Sequence, residues 1–82
     1  MVVASVTNDE HNFSKRLGGA IRCERKRQKI KVKDIAGYIK VSCDVYYEIE
    51  RTGRGCTAWR LEKAARFMNL KAQDLIDRAC VF

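Results

Sequence analysis

The chain has 82 residues, 46% of them hydrophobic and 33% charged, with a formal net charge of +7, which sets one small globular domain and excludes a disordered chain. No apolar run reaches the roughly 18 residues of a membrane span, and the start MVVASV is too short and lacks the basic flank of a secretory signal. The four cysteines, Cys23, Cys43, Cys56 and Cys80, form no Cys-x-x-Cys pair, which excludes a zinc site of ordinary spacing and suits reduced thiols in a cytoplasmic protein without metal or cofactor.

The charge is uneven. Lys15 to Lys33 holds nine Lys or Arg and one Glu, while Cys43 to Glu50 holds Asp44, Glu48 and Glu50 and no base. A basic domain suits polyanionic partners, nucleic acid first and an anionic membrane surface second. A solvated basic face is the plainer reading.

Residues 1–11 show no sustained period and read as a flexible N-terminal arm; residues 12–82 form the domain. A first helix is predicted from Phe13 to Gln28, capped by Asn12 or Ser14, with Phe13, Leu17 and Ile21 on one face. Gly18 and Gly19 each cost a helix interior about 1 kcal/mol against Ala, and a glycine there suits the close approach of another helix. The second helix is predicted from Val32 to Ile39, with Ile35, Ala36 and Ile39 inward. Lys31 stands at its start, where it cannot accept a bond from the free backbone N–H groups. Asp34 in the first turn suits the helix dipole.

The third helix follows Ser42, a good N-cap, and runs to Arg51, with Val45, Tyr46 and Ile49 inward and Cys43, Asp44, Tyr47 and Glu48 outward. Thr52 to Gly55 reads as a loop. Thr57 caps a fourth helix, Ala58 to Met68, with Leu61, Ala64, Ala65 and Met68 inward. A fifth covers Ala72 to Ala79. Trp59 reads as a core or interface residue, and the cysteines as buried structural thiols. No alternating strand pattern appears, so the fold class is all-α.

Five short helices with a tight connection between the second and third resemble the lambda repressor-like (Cro/CI, XRE-type) helix-turn-helix family. The residues that carry the resemblance are Leu17-Gly18, Ile21-Arg22 and Arg25 on helix one, Ile35-Ala36 on helix two, and Val41-Ser42 at the turn. Ile49-Glu50 ends helix three, and Leu61, Ala65 and Leu70 lie beyond. The resemblance implies a compact five-helix domain with helices two and three as the helix-turn-helix, and a structural ion pair between Arg25 and Glu50. The chain departs from the family at Lys31-Val32 (commonly Ser-Gln), at Lys40 and Thr52 (commonly Gly) and at Cys56 (commonly Pro).

The resemblance also implies that helix three enters the major groove of double-stranded DNA. Ser42, Cys43, Asp44, Tyr47 and Glu48 then lie near bases. Lys31, Lys33, Lys40, Arg51, Arg54 and Arg60, at helix starts and loops around helix three, are the candidates for holding phosphates. A carboxylate there accepts from cytosine N4 or rejects other bases; equally, Asp44 suits the helix dipole and Glu48 a salt bridge to Arg51. A homodimer is expected, since one recognition helix reads few base pairs, and Leu75, Ile76, Val81 and Phe82 are its candidate interface; the same residues could instead close the core.

The function expected is a sequence-specific DNA-binding transcriptional regulator, a phage-type repressor, restriction–modification controller or antitoxin. The alternative is a protein-interaction module on a helix-turn-helix scaffold with its own protein partner. No enzyme is expected: one histidine and no nucleophile–base set give no catalytic constellation.

Overall fold

In the computed structural model the backbone is described for residues 2–80 and the side chains for residues 12–80. Five helices follow in order: α1 Val2–Arg27, α2 Val32–Ile39, α3 Cys43–Thr52, α4 Ala58–Phe67 and α5 Ala72–Cys80. No strand occurs among the described residues, and the fold is all-α. No helix among them is long and apolar enough to cross a membrane.

Three of the helices, α1, α2 and α4, stop for a shared local reason. Lys29, Lys40 and Asn69 take left-handed backbone, with φ of 58°, 67° and 61°. The next residue then donates its N–H back across the last turn: Ile30 to the Arg25 carbonyl, Val41 to that of Ala36 and Leu70 to that of Ala65, at 3.0, 3.0 and 2.8 Å. This closure satisfies carbonyls left free at a helix C-terminus. It also turns Ile30, Val41 and Leu70 against the core. Two of the three left-handed positions are lysines, which strain where glycine would not.

Leu17 and Ile21 of α1, Ile35, Ala36 and Ile39 of α2, Tyr46 and Ile49 of α3, Leu61, Ala64 and Ala65 of α4, Met68, and Leu75 and Ala79 of α5 make one core. α1 packs on α3 and α5, and α2 on α3 and α4. The α1–α3 approach is close enough that a Cβ on Gly18 would collide with the carbonyl oxygens of Ile49 and Glu50, the latter 2.7 Å away. Gly53 ends α3 with φ 78°, and a Cβ there would strike the Ser14 backbone of α1. Both positions therefore need glycine.

Several expectations are corrected. α1 continues to Val2, so Asn12 and Ser14 lie inside the helix and cap nothing. At 1.5 Å per residue its 26 residues span about 39 Å, which accounts for most of the molecule's 43 Å long axis. Val45 is exposed and not inward, because α3 turns Tyr46, Ile49 and Glu50 to the core. Trp59 lies outside the core, about half exposed, with the Lys63 ammonium 5.3 Å from its ring centre. Cys23 and Cys80 are exposed and not buried, while Cys43 is exposed as the outer face of α3 implies. Cys56 is partly buried, and that burial pushes its thiol up.

Glu24 is the buried charge with the largest structural consequence. It falls on the apolar face of α1 and is 2% exposed. Arg27 and Gln28 donate to it from one side, and Arg78 Nη1 reaches it from α5 at 2.7 Å. Gln28 also donates to the Met68 carbonyl at 2.9 Å. A carboxylate with three donors tolerates burial that an unpaired one would not. The cluster ties α1 to α5 and to the end of α4.

Candidate nucleic-acid interface

The connection between α2 and α3 is short because Lys40 reverses the chain in one residue and Ser42 starts the next helix. Ser42 Oγ accepts the Val45 N–H at 3.2 Å. Its N-cap role is therefore occupied, while its side chain remains at the surface.

Behind α3, Arg25 Nε donates to Glu50 Oε2 at 2.6 Å and Arg25 Nη2 to Glu50 Oε1 at 3.3 Å. Arg25 Nη1 also holds the Ile30 carbonyl at 2.9 Å. The Glu50 side chain is 4% exposed, so this carboxylate fixes α3 to α1 and takes no part in the outer face. The hydrogen bonds that Arg25 donates to it, and then its charge, raise the Arg25 guanidinium above its usual range. Tyr46 lies beside the pair with its hydroxyl buried and without a well-formed hydrogen bond to any of the described residues. Burial first, and the Glu50 carboxylate second, push its phenol well above the usual range.

The outer face of α3 carries Cys43, Asp44 and Tyr47, all exposed. Glu48 is at its edge and is not free. Arg51 Nη2 donates to it at 2.5 Å, and Thr52 Oγ1 lies 3.1 Å from its second oxygen. These donors, Arg51 first, hold its carboxyl below the usual range. Asp44 makes no ion pair among the described residues. The acidic group presented outward is thus Asp44, while Glu48 is neutralised in place.

Around α3 the cations divide by engagement. Lys31, Lys33, Lys40 and Arg54 are exposed and carry no ion pair among the described residues. The α2 start has no side-chain cap, so N–H groups of its first turn stay open beside Lys31 and Lys33. Arg51 is shared with Glu48 in a surface pair, of a kind worth only about 0–1 kcal/mol and readily exchanged. Arg60 Nη1 donates to the Gly55 carbonyl at 2.7 Å and so braces the α3–α4 loop.

Of the residues expected at a dimer interface, Leu75 has no exposed surface and closes the core instead. Ile76 is partly buried against that core. Val81 and Phe82 lie outside the described residues.

One cationic feature is not evident from the sequence alone. A groove of about 690 Å³ runs between α1 and α3, lined by Lys15, Gly19, Arg22, Lys26, Tyr47 and Arg51 beside the Arg25–Glu50 pair. Its signal lies in the spacing: positions 15, 19, 22 and 26 fall on one helical face.

No known protein family matches the chain, and no curated protein matches it in sequence. Solved structures do match. Two crystal structures of the clp gene regulator ClgR from Corynebacterium glutamicum superpose with TM-scores of 0.78 and 0.76, each at 21% identity over 82% of this chain. The match covers 71% of the first ClgR chain and 87% of the second. The likeness establishes the all-α helix-turn-helix fold, with α2 and α3 as the motif.

Proposed function

We propose that this protein is a sequence-specific DNA-binding transcriptional regulator that inserts α3 into the major groove of an operator. The observation that carries the reading is the arrangement at α3. A helix fixed from behind by Arg25–Glu50 presents Ser42, Cys43, Asp44 and Tyr47 outward, within a collar of Lys31, Lys33, Lys40, Arg51 and Arg54. The collar supplies attraction to phosphates, and the small or acidic centre supplies selection. The resemblance to lambda repressor-like domains and the name of the structural neighbour as a gene regulator support it. In this reading Asp44 accepts from cytosine N4 or repels mismatched sites, Glu48 serves Arg51, and no catalytic step is involved.

The protein acts as a dimer on an inverted repeat, through Ile76 and the C-terminal residues Val81 and Phe82. The regulatory type is that of a phage-type repressor, a restriction–modification controller or an antitoxin. The test is binding of duplex DNA by fluorescence anisotropy across salt. Counterion release predicts a fall of about 10³–10⁵ in affinity from 50 to 200 mM salt when about six to ten phosphates are neutralised. A flat response would contradict DNA as the partner. It would favour the second reading, a protein-interaction module, for which the exposed Asp44 on α3 is the specific observation.

A further inference from the structure

The groove between α1 and α3 has a composition that the helix-turn-helix alone does not require. Lys15, Arg22, Arg25, Lys26 and Arg51 line it against a single carboxylate, Glu50. That carboxylate is already held by both Arg25 donors at 2.6 and 3.3 Å. The other acidic residue of this stretch, Glu24, is buried among Arg27, Gln28 and Arg78. No carboxylate among the described residues therefore pairs with Lys15, Arg22 or Lys26, and all three are exposed. Unneutralised cations beside one another repel, and a concave wall concentrates their field.

The floor is open for a specific reason. A Cβ on Gly18 would strike α3, but a Cβ on Gly19 would meet nothing within 4 Å. Gly19 is thus not needed for helix packing, and its missing side chain leaves a trough between Lys15 and Arg22. From Lys15 to Lys26 the stripe rises about 16 Å along α1 at 1.5 Å per residue. That length, with three cations along it, suits a short run of consecutive phosphates on one strand. Tyr47 and Arg51 belong both to this groove and to the outer side of α3, which makes the two surfaces continuous.

We infer that the α1–α3 groove is a second phosphate-binding track, in which Lys15, Arg22 and Lys26 hold the sugar–phosphate backbone flanking the site read by α3. The inference rests on the DNA-binding reading above and extends it to α1. An elongated, open trough suits a continuous backbone better than a compact free polyphosphate. The track adds affinity and salt dependence without adding sequence preference, because phosphates carry no base information.

The test compares the full chain with the triple variant Lys15→Gln/Arg22→Gln/Lys26→Gln on one duplex that the wild type binds. A control variant, Lys63→Gln/Arg66→Gln/Lys71→Gln, removes equal charge from α4 and the turn after it, none of which lines the groove. Circular dichroism melting checks that all three remain folded, as surface changes of this kind leave them. The expected result is a log–log salt slope shallower by about 0.9 for each phosphate the variant no longer neutralises, so up to about 2.7 per protomer, with the preference over a scrambled duplex unchanged. The control keeps the wild-type slope. A steep wild-type slope that the triple variant retains overturns the track while leaving DNA binding intact; a flat wild-type slope overturns DNA binding itself. Equally shallower slopes in the triple and control variants overturn the track in favour of net charge. Saturable binding of inorganic tripolyphosphate that only the triple variant abolishes, with its DNA slope unchanged, overturns it in favour of a free anion.

Discussion

Arg25 and Glu50, twenty-five residues apart, meet through two hydrogen bonds of 2.6 and 3.3 Å that lock α3 against α1. Both side chains are nearly sealed from solvent, at 11% and 4% exposed. Removing one partner of such a pair leaves the other buried and unpaired, which costs about 3–5 kcal/mol. Arg25→Ala is expected to lower the melting temperature by many degrees, measured by circular dichroism. The double variant Arg25→Ala/Glu50→Ala is expected to lose less than the sum of the single losses. A melting temperature equal to wild type in Arg25→Ala would refute the role.

Gly18 and Gly19 are neighbours with opposite requirements. Gly18→Ala drives a Cβ into the backbone of α3 and is expected to cost about 1–3 kcal/mol through overpacking. Gly19→Ala meets open space and is expected to stabilise by about 0.5–1 kcal/mol through helix propensity. Urea unfolding of the two variants checks the signs. Destabilisation by both would show that the trough beside Gly19 is not open.

Lys40 turns the chain between α2 and α3 with φ 67°. A lysine there carries a left-handed penalty of about 1–2 kcal/mol that glycine does not. Lys40→Gly is therefore expected to raise stability, by less than that penalty because glycine also frees the unfolded chain. The same variant is expected to weaken DNA binding by removing one cation of the collar. Opposite movements of melting temperature and affinity are the outcome to look for; a decrease in both would show that the Lys40 side chain supports the turn itself.

Acid is expected to act through Glu24. Hydrogen bonds from Arg27 first, then Gln28 and Arg78, outweigh burial and lower its carboxyl from an ordinary 4.5 to about 2. A depressed folded-state value means the stabilisation is complete above the unfolded value and disappears as pH falls from about 4.5 through about 2. Urea unfolding of wild type at about pH 5 and about pH 3 is expected to show a loss that Glu24→Gln shows to a smaller degree. Equal losses in both proteins would remove Glu24 from the acid response.

Much of the fold is legible in the sequence because its signals are local and periodic. The 3.6-residue spacing places Ile35, Ala36 and Ile39 on one face, and Ser42 and Thr57 announce helix starts; the side chains of both accept a backbone N–H as N-caps. The start of α1 is not legible, because residues 2–11 lack an apolar stripe and yet continue a helix begun downstream. The fate of the acids is legible only in part: Glu50 pairs with Arg25 as the family resemblance implies. The salt bridge of Glu48 to Arg51 is one of the two readings the sequence leaves open, and the choice between them depends on the rotamers of Arg51 and Thr52. Glu24 falls in the period of the apolar face of α1, but the donors that make its burial tolerable, among them Arg78 arriving from α5, come together only in the tertiary fold. The groove cations are visible as charge, but their isolation from carboxylates is a tertiary fact.

The central claim is that α3 reads duplex DNA within its basic collar, and selection of binding sites from a random duplex library at fixed salt tests it most directly. The account predicts enrichment of an inverted repeat, with cytosine or exclusion of particular bases opposite Asp44 and a relaxed preference at that position in Asp44→Asn. A soluble, folded protein that enriches no sequence, with Asp44→Asn indistinguishable from wild type, would contradict it.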